Sequence, residues 1–225
     1  MGDPKMILYS YWRSSCSWRV RAALALKGLA YETRAVSLIR DGGEQHSAQF
    51  VREVNPMHAV PALVVREAGD AGDAVTLTQS LAILEFLEER FPGRGEALLP
   101  PASDPLARAQ VRRVADLIAC DIQPVQNLRI LKAVGPERKD EWGRSMIEFG
   151  FDALEQLLRQ TAGRYCVGDA VSIADCCLVP QVYNARRFGV DMGRYPTISS
   201  VHARLVELDA FAASHPDRQV DAVPA

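Results

Sequence analysis

The stretch Arg13-Ser14-Ser15-Cys16-Ser17-Trp18-Arg19-Val20-Arg21 sets four hydroxyl or thiol side chains in a row and brackets them with three arginines. It lies between a strand-like run, Ile7-Leu8-Tyr9-Ser10-Tyr11, and a helix-like run, Ala22-Ala23-Leu24-Ala25-Leu26-Lys27-Gly28. A helix start exposes backbone N–H groups and the positive end of the macrodipole, so it attracts anions. Arginines at that end oppose the dipole, and an anion beside them resolves the conflict. The pattern points to a site for a thiolate, a carboxylate, or both. A free thiol titrates at roughly 8.5 and reacts as the thiolate, so hydroxyl donors and helix amides would favour the reactive form. Plainer readings stand beside this one. One serine suffices to cap a helix, Cys16 is itself a candidate nucleophile, and Tyr9 and Tyr11 alternate as ordinary sheet residues do.

Such a turn needs a strand and a helix to hold it. Met6 to Tyr11 reads as a strand and Cys16 to Lys27 as a helix, closed by Gly28. Tyr31 to Leu38 alternates as a second strand, Asp41-Gly42-Gly43 marks a loop, and Glu44 to Val54 has the polarity of a short helix ended by Asn55-Pro56. Val60 to Val65 is a third strand with proline near its start, Glu67 to Ala74 a hairpin turn, and Val75 to Thr78 a fourth strand. Gln79-Ser80 opens a helix whose apolar stripe includes Leu84, Leu87 and Phe91. This βαβ then ββα order predicts a small sheet covered by helices.

Breakers from Phe91 to Pro105 mark a boundary, which gives a first domain over 1–91, a linker over 92–105 and an all-helical domain over 106–225. Helical stripes run through Val111, Val114, Ile118, Ile122 and Val125, with a kink or break expected at Pro124, and again through Ile147, Phe151, Leu154 and Leu158. Ser172-Ile173-Ala174-Asp175 fits a reciprocal cap, opening a helix that Pro180 would bend. Thr197 to Leu208 is a further helix, and the tail from Ser214 to Ala225 is expected to be poorly ordered.

The bulk numbers narrow the field. The 225 residues carry 48% hydrophobic and 24% charged side chains with a formal net charge of −2, so nothing in the balance favours nucleic acid or an anionic membrane. No apolar run approaches the roughly 20 residues of a membrane span, and the first residues lack a signal peptide's apolar core, so a cytoplasmic location is expected. The five cysteines, Cys16, Cys120, Cys166, Cys176 and Cys177, show neither an even count nor C-x-x-C spacing, and the four histidines show no ligand spacing. Neither a disulfide framework nor a metal site is expected.

The block Ser14 to Arg21 resembles the signature of the zeta class of the glutathione transferase superfamily. Other blocks agree in order: Asp41-Gly42-Gly43, Asn55-Pro56-Met57, Val60-Pro61, Gln79 to Ile83, Ile122-Gln123-Pro124, Gln126-Asn127-Leu128, Tyr165 to Asp169 and Tyr195 to Ile198. The resemblance implies a thioredoxin-like domain joined to a helical bundle, glutathione as cofactor and a homodimer. It implies glutathione-dependent cis–trans isomerisation of maleylacetoacetate to fumarylacetoacetate, a small dicarboxylate, with the same chemistry on maleylpyruvate as the nearest alternative. A conjugating transferase, an α-haloacid dehalogenase, a thiol–disulfide oxidoreductase acting through Cys16 and a non-catalytic glutathione-binding module remain further alternatives.

The same resemblance implies the site residues. Ser14, Ser15 and Cys16 are the catalytic candidates, with Ser14 the first choice to donate to the glutathione sulfur. Ser17, Trp18 and Arg19 join them in binding the cofactor. Val60, before a cis Pro61, would pair its backbone with glutathione, Gln79-Ser80 would hold the γ-glutamyl carboxylate, and Gln45 would lie near the glycyl end. Gln123, Asn127, Leu128 and Arg129 would line the site from the helical domain. Arg13, Arg19 and Arg187 are the candidate clamps for substrate carboxylates, since guanidinium binds carboxylate through two parallel bonds. Arg21 is expected to be solvated.

Overall fold

A computed structural model describes residues 2–67 and 74–223. The chain divides into two compact units, one running to Gly95 and taking in the chain again from Ala213, the other running from Glu96 to Ala212. In the first, β1 (Lys5–Ser10) pairs in parallel with β2 (Glu32–Ala35), and α1 (Ser15–Leu26) is the crossover between them. β3 (Ala62–Arg66) runs antiparallel to β1, and β4 (Val75–Thr78) antiparallel to β3, giving the sheet order β2-β1-β3-β4. α2 (Ala48–Glu53) precedes β3, and α3 (Ser80–Arg90) comes after β4 and packs on α1. The expected βαβ-ββα order is the observed one. The hairpin turn expected over 67–74 lies, between its two ends, outside the described residues.

Alternation decides which side of β1 is covered: Met6, Leu8 and Ser10 are buried, and the residues between them are less so. Leu8, Leu63, Val20, Leu24, Ile83, Leu84 and Leu87 are fully buried, and each large side chain contributes about 1.5–3 kcal/mol by leaving water. α1 is covered on nearly every face, its polar residues included. Arg19, Arg21 and Lys27 are each 2% exposed or less. Lys27 Nζ meets Glu88 at 2.7 Å and donates to the Phe91 carbonyl at 3.3 Å, tying the end of α1 to α3 and the residue after it.

The second unit is helical: α4 (Pro105–Asp116), α5 (Leu128–Val134), α6 (Lys139–Thr161), α7 (Ile173–Arg187) and α8 (Pro196–Leu205), with α9 (Asp209–Ser214) leading out of it. The break expected at Pro124 is spread over a wider π-type turn at Leu117–Ile122 and a 3-10 turn at Pro124–Gln126. The Ser172/Asp175 reciprocal cap is present.

Two expectations are overturned. Arg21 is not solvated but buried, with four hydrogen bonds to Ser10 Oγ and the carbonyls of Tyr11, Trp12 and Ser214. The tail is not loose. Residues from Ser214 to Ala222 return to the first unit, form a 3-10 turn at Pro216–Arg218 and bond to α1 and the end of β1. Its polarity supplies hydrogen bonds rather than solvation.

Candidate active site

Ser14 is the N-cap of α1, with φ −72° and ψ 118°. Its Oγ accepts from the N–H of Ser17 at 3.2 Å, while its own N–H donates to the Tyr11 carbonyl at 3.0 Å. With the oxygen already accepting from the helix, the hydroxyl hydrogen is left to donate outward. Ser14 and Cys16 are half-buried, whereas Ser15 and Ser17 are buried. The Ser17 hydroxyl has no hydrogen-bond partner among the described residues. The first turn of α1 carries no acidic residue, so nothing in the helix's own first turn competes for its positive end.

The start of α3 repeats the device. Its N-cap, Gln79, has φ 68°, a left-handed conformation that costs a non-glycine residue about 1 kcal/mol or more and that tends to persist at functional sites. Ser80 is buried, and its Oγ accepts from Arg19 Nη1 at 3.1 Å, again leaving the hydroxyl hydrogen to donate elsewhere. Arg19 Nε and Nη2 are buried without a hydrogen-bond partner among the described residues. A buried cation so placed is expensive, and an anion held at Ser80 would offset it. The start of α3 also has no acid in its first turn.

Loops around these helix starts complete the set. The Val60-Pro61 peptide bond is cis and stands just ahead of β3. Gln45 is buried, and its Oε1 has no partner among the described residues. Its side chain lies against Gly43, at φ 115°, where any Cβ would collide with it. Arg13 is half-buried, its guanidinium 5.1 Å from the Trp12 ring centroid. Arg19, proposed from sequence both to bind cofactor and to clamp substrate, is too deep to touch a substrate directly and meets Ser80 instead.

In the helical unit, Gln123 is buried between the two irregular turns, and Asn127 caps α5 by accepting from the Arg129 N–H at 3.2 Å. Leu128 is half-buried and Arg129 exposed. Arg187, in the last turn of α7, is exposed and donates to Asn184 Oδ1 at 3.5 Å. Cys166, Cys176 and Cys177 are buried, and burial pushes the Cys166 and Cys176 thiols well up, which makes them inert. Among the described residues no group of three metal-ligating side chains occurs, and no helix is long and apolar enough to cross a membrane.

Comparison with known proteins identifies the family. The family model for the glutathione S-transferase N-terminal domain matches residues 13–90, from the turn ahead of α1 to the end of α3. The maleylacetoacetate isomerase of Mus musculus is 55% identical over 217 residues, spanning 96% of this chain and 95% of its own. The maleylacetoacetate isomerase of Anaeromyxobacter dehalogenans 2CP-1, solved with glutathione in its active site, is 48% identical with a TM-score of 0.87, covering 99% of this chain and 100% of its own. The same protein has been solved with dicarboxyethyl glutathione and citrate there, at 47% identity, a TM-score of 0.87 and full coverage of both chains. A bacterial maleylpyruvate isomerase of the zeta class is 42% identical, with a TM-score of 0.84 over 96% of this chain and 100% of its own. The chain belongs to the zeta class of glutathione transferases.

Within a zeta-class glutathione transferase, the open starts of α1 and α3 are suited to the two anionic ends of one cofactor, a thiolate and a carboxylate. Sequence reasoning missed what lies behind them. Arg21, Ser214 and Asp221 support the turn through hydrogen bonds, and no local spacing could reveal partners some two hundred residues apart. Arginine after arginine in α1 was the available signal, since two cations inside one helix turn call for buried acceptors.

Proposed function

We propose that this protein converts maleylacetoacetate to fumarylacetoacetate by cis–trans isomerisation, with glutathione as a cofactor that is returned unchanged. The observation that carries the reading is the serine-capped, acid-free start of α1, where Ser14 has its oxygen engaged by the helix and its hydrogen left to donate. Bound glutathione supplies a thiolate that adds to the cis double bond and is later eliminated, so that rotation about the intervening single bond leaves the trans isomer.

The chain's own residues make that possible. Ser14 donates to the sulfur and, with the exposed amides of α1, lowers the free energy of the thiolate relative to the thiol. Ser15 and Cys16 shape the same turn, with Ser17 and Trp18 behind them. Gln79 and Ser80, backed by Arg19, hold the γ-glutamyl carboxylate. The Val60 backbone ahead of Pro61 pairs with the cysteinyl part as an added strand would, and Gln45 serves the glycyl end. Arg13 and Arg187 hold substrate carboxylates, and Gln123, Asn127, Leu128 and Arg129 are the helical unit's contribution to binding.

A homodimer is the assembly that the family resemblance implies, and Phe149, 80% exposed on α6, is an apolar side chain that a second copy would cover. Cysteines held as thiols rather than disulfides accord with a reducing cytoplasm. Conjugation or dehalogenation would be side activities of the same thiolate.

Mixing the protein with glutathione and maleylacetoacetate tests the reading. Loss of the cis isomer well above the glutathione-only rate is expected; a rate equal to glutathione alone would overturn it. The bacterial relative that acts on maleylpyruvate keeps that substrate as the second reading, and a higher kcat/KM for maleylpyruvate would favour it.

A further inference from the structure

The residues just ahead of Ser14 are held from the far end of the chain. The Tyr11 carbonyl accepts both the Ser14 N–H, at 3.0 Å, and Arg21 Nη1, at 3.3 Å. The Trp12 carbonyl accepts Arg21 Nη2 at 2.9 Å, and the Trp12 N–H donates to Asp221 Oδ2 at 3.0 Å. Arg21 is oriented in turn by donating Nε to the Ser214 carbonyl at 3.2 Å and Nη1 to Ser10 Oγ at 3.0 Å. The Trp18 indole N–H donates to Ser214 Oγ at 2.9 Å, and the His215 ring stands edge-on to the Trp18 indole at 5.2 Å. Ala222 packs on the apolar cluster of Tyr11, Trp12, Val36, Phe50 and Val60.

A surface tail has little reason to make these bonds. Arg21 is fully buried, and burial draws its pKa down to about 10, with the nearby Asp221 carboxylate among the groups opposing the shift. It stays a cation at neutral pH, and of its four hydrogen bonds one goes to Ser10 Oγ, one to the Ser214 carbonyl and two to the Tyr11 and Trp12 carbonyls at the exit of β1. Those carbonyls fix the direction in which the chain enters the turn, and so where the Ser14 hydroxyl points.

We propose that the segment from Ser214 to Ala222 is a clasp for the catalytic turn, with Asp221 and Arg21 as positioning residues that act through Trp12 and Tyr11 on Ser14. The proposal rests on Ser14 as the thiol-activating donor. Charged and titratable groups next to the turn are Tyr11 ahead of it, Arg13 and Cys16 within it, Arg19 and Arg21 from α1, Tyr31 ahead of β2, and His215 and Asp221 from the tail. Asp221 is half-buried and lies outside both the turn and α1, so altering it leaves the core and the turn's own side chains in place.

The test compares Asp221→Ala, Asp221→Asn and Ser14→Ala with the parent protein. Two quantities are read: the pKa of bound glutathione's thiol, from the ultraviolet absorbance of its thiolate, and kcat/KM against pH. Misplacing a reacting group by a fraction of an ångström costs about tenfold, so Asp221→Ala should lower kcat/KM about tenfold. It should also move the thiol pKa upward by about half a unit, in the same direction as Ser14→Ala and by less. Asp221→Asn, which still offers an oxygen to the Trp12 N–H, should recover most of both. A folded Asp221→Ala protein with an unchanged thiol pKa, beside a Ser14→Ala protein whose pKa has risen, overturns the clasp and spares the reading of Ser14. An unchanged pKa in Ser14→Ala overturns both. Should Asp221→Ala fail to fold, truncation after Gln219 removes the same acceptor while keeping the Ser214 bonds, and the same outcomes apply.

Discussion

Ser14, Ser47 and Ser172 are the N-caps of α1, α2 and α7, and the first and last of these helices begin differently. At the start of α7, Ser172 and Asp175 close a reciprocal cap. Asp175 is fully buried and accepts from the Ser172 N–H, the Ser172 hydroxyl and the Cys166 N–H at 2.8 to 2.9 Å. Burial holds the Asp175 carboxyl above its ordinary value, and the hydrogen bonds from Cys166 and Ser172 pull it back only in part. At the start of α1, the position equivalent to Asp175 is Ser17, whose hydroxyl has no hydrogen-bond partner among the described residues, and no acid enters the first turn. The α7 start is filled by its own chain. The α1 start keeps its positive end for something else. Serine at an N-cap is therefore uninformative alone: Ser47 caps α2 through the Phe50 N–H with no acid in that first turn either, and between α1 and α7 the difference lies in the side chain three positions further along.

The contrast is sharpest under substitution. Ser14→Ala should lower kcat/KM about 10²–10³-fold, as loss of one preorganised donor does, while costing only about 1 kcal/mol of stability as a lost cap. Asp175→Ala should do the reverse. It strands three buried donors, so denaturant unfolding should show a loss of about 3 kcal/mol, with kcat/KM per folded molecule unchanged. Equal effects of the two substitutions on turnover would erase the distinction.

A second pair refines it. Arg19→Ala should weaken glutathione binding about tenfold, read by calorimetry, because Ser80 loses the donor that orients it. The loss should shrink when the probe is cysteinylglycine, which lacks the γ-glutamyl carboxylate; a purely structural role would weaken both alike.

The smallest effect concerns a third helix start, that of α8, where Glu155 accepts from the N–H groups of Thr197 and Ile198 at 3.0 Å each. Burial pushes this carboxyl up, but the bonds from Ile198 and Thr197 outweigh it and hold it below the ordinary 4.5. A lowered folded pKa gives stability that is present above the unfolded value and lost as pH falls through the folded one. Glu155→Gln should thus lower Tm at neutral pH by the equivalent of about 1 kcal/mol, and the gap to the parent should close as pH falls below about 4.

Much of the first unit was legible because its signals are local. Val75 to Thr78 is the strand expected, and Ser80 opens α3 where the apolar stripe begins. β2 is shorter than its alternation predicted, ending at Ala35, since Ser37 gives its N–H to Glu44 Oε2 at 2.6 Å and leaves the sheet. The left-handed Gln79 was not legible, because glutamine carries no preference for that conformation. Nor were the roles of Arg19 and Arg21: an arginine reads as surface until its distant acceptors are known. The same holds for the tail, whose proline and polar residues describe disorder and a hydrogen-bonded clasp equally well.

The central claim is that the α1 start keeps its amides and the Ser14 hydroxyl for an incoming sulfur. A crystal structure of the glutathione complex tests it most directly. The account predicts the sulfur within hydrogen-bonding distance of Ser14 Oγ, the γ-glutamyl carboxylate on Ser80, and no covalent bond to the protein. A disulfide between glutathione and Cys16, or a sulfur facing a tyrosine hydroxyl with Ser14 turned inward, would contradict it.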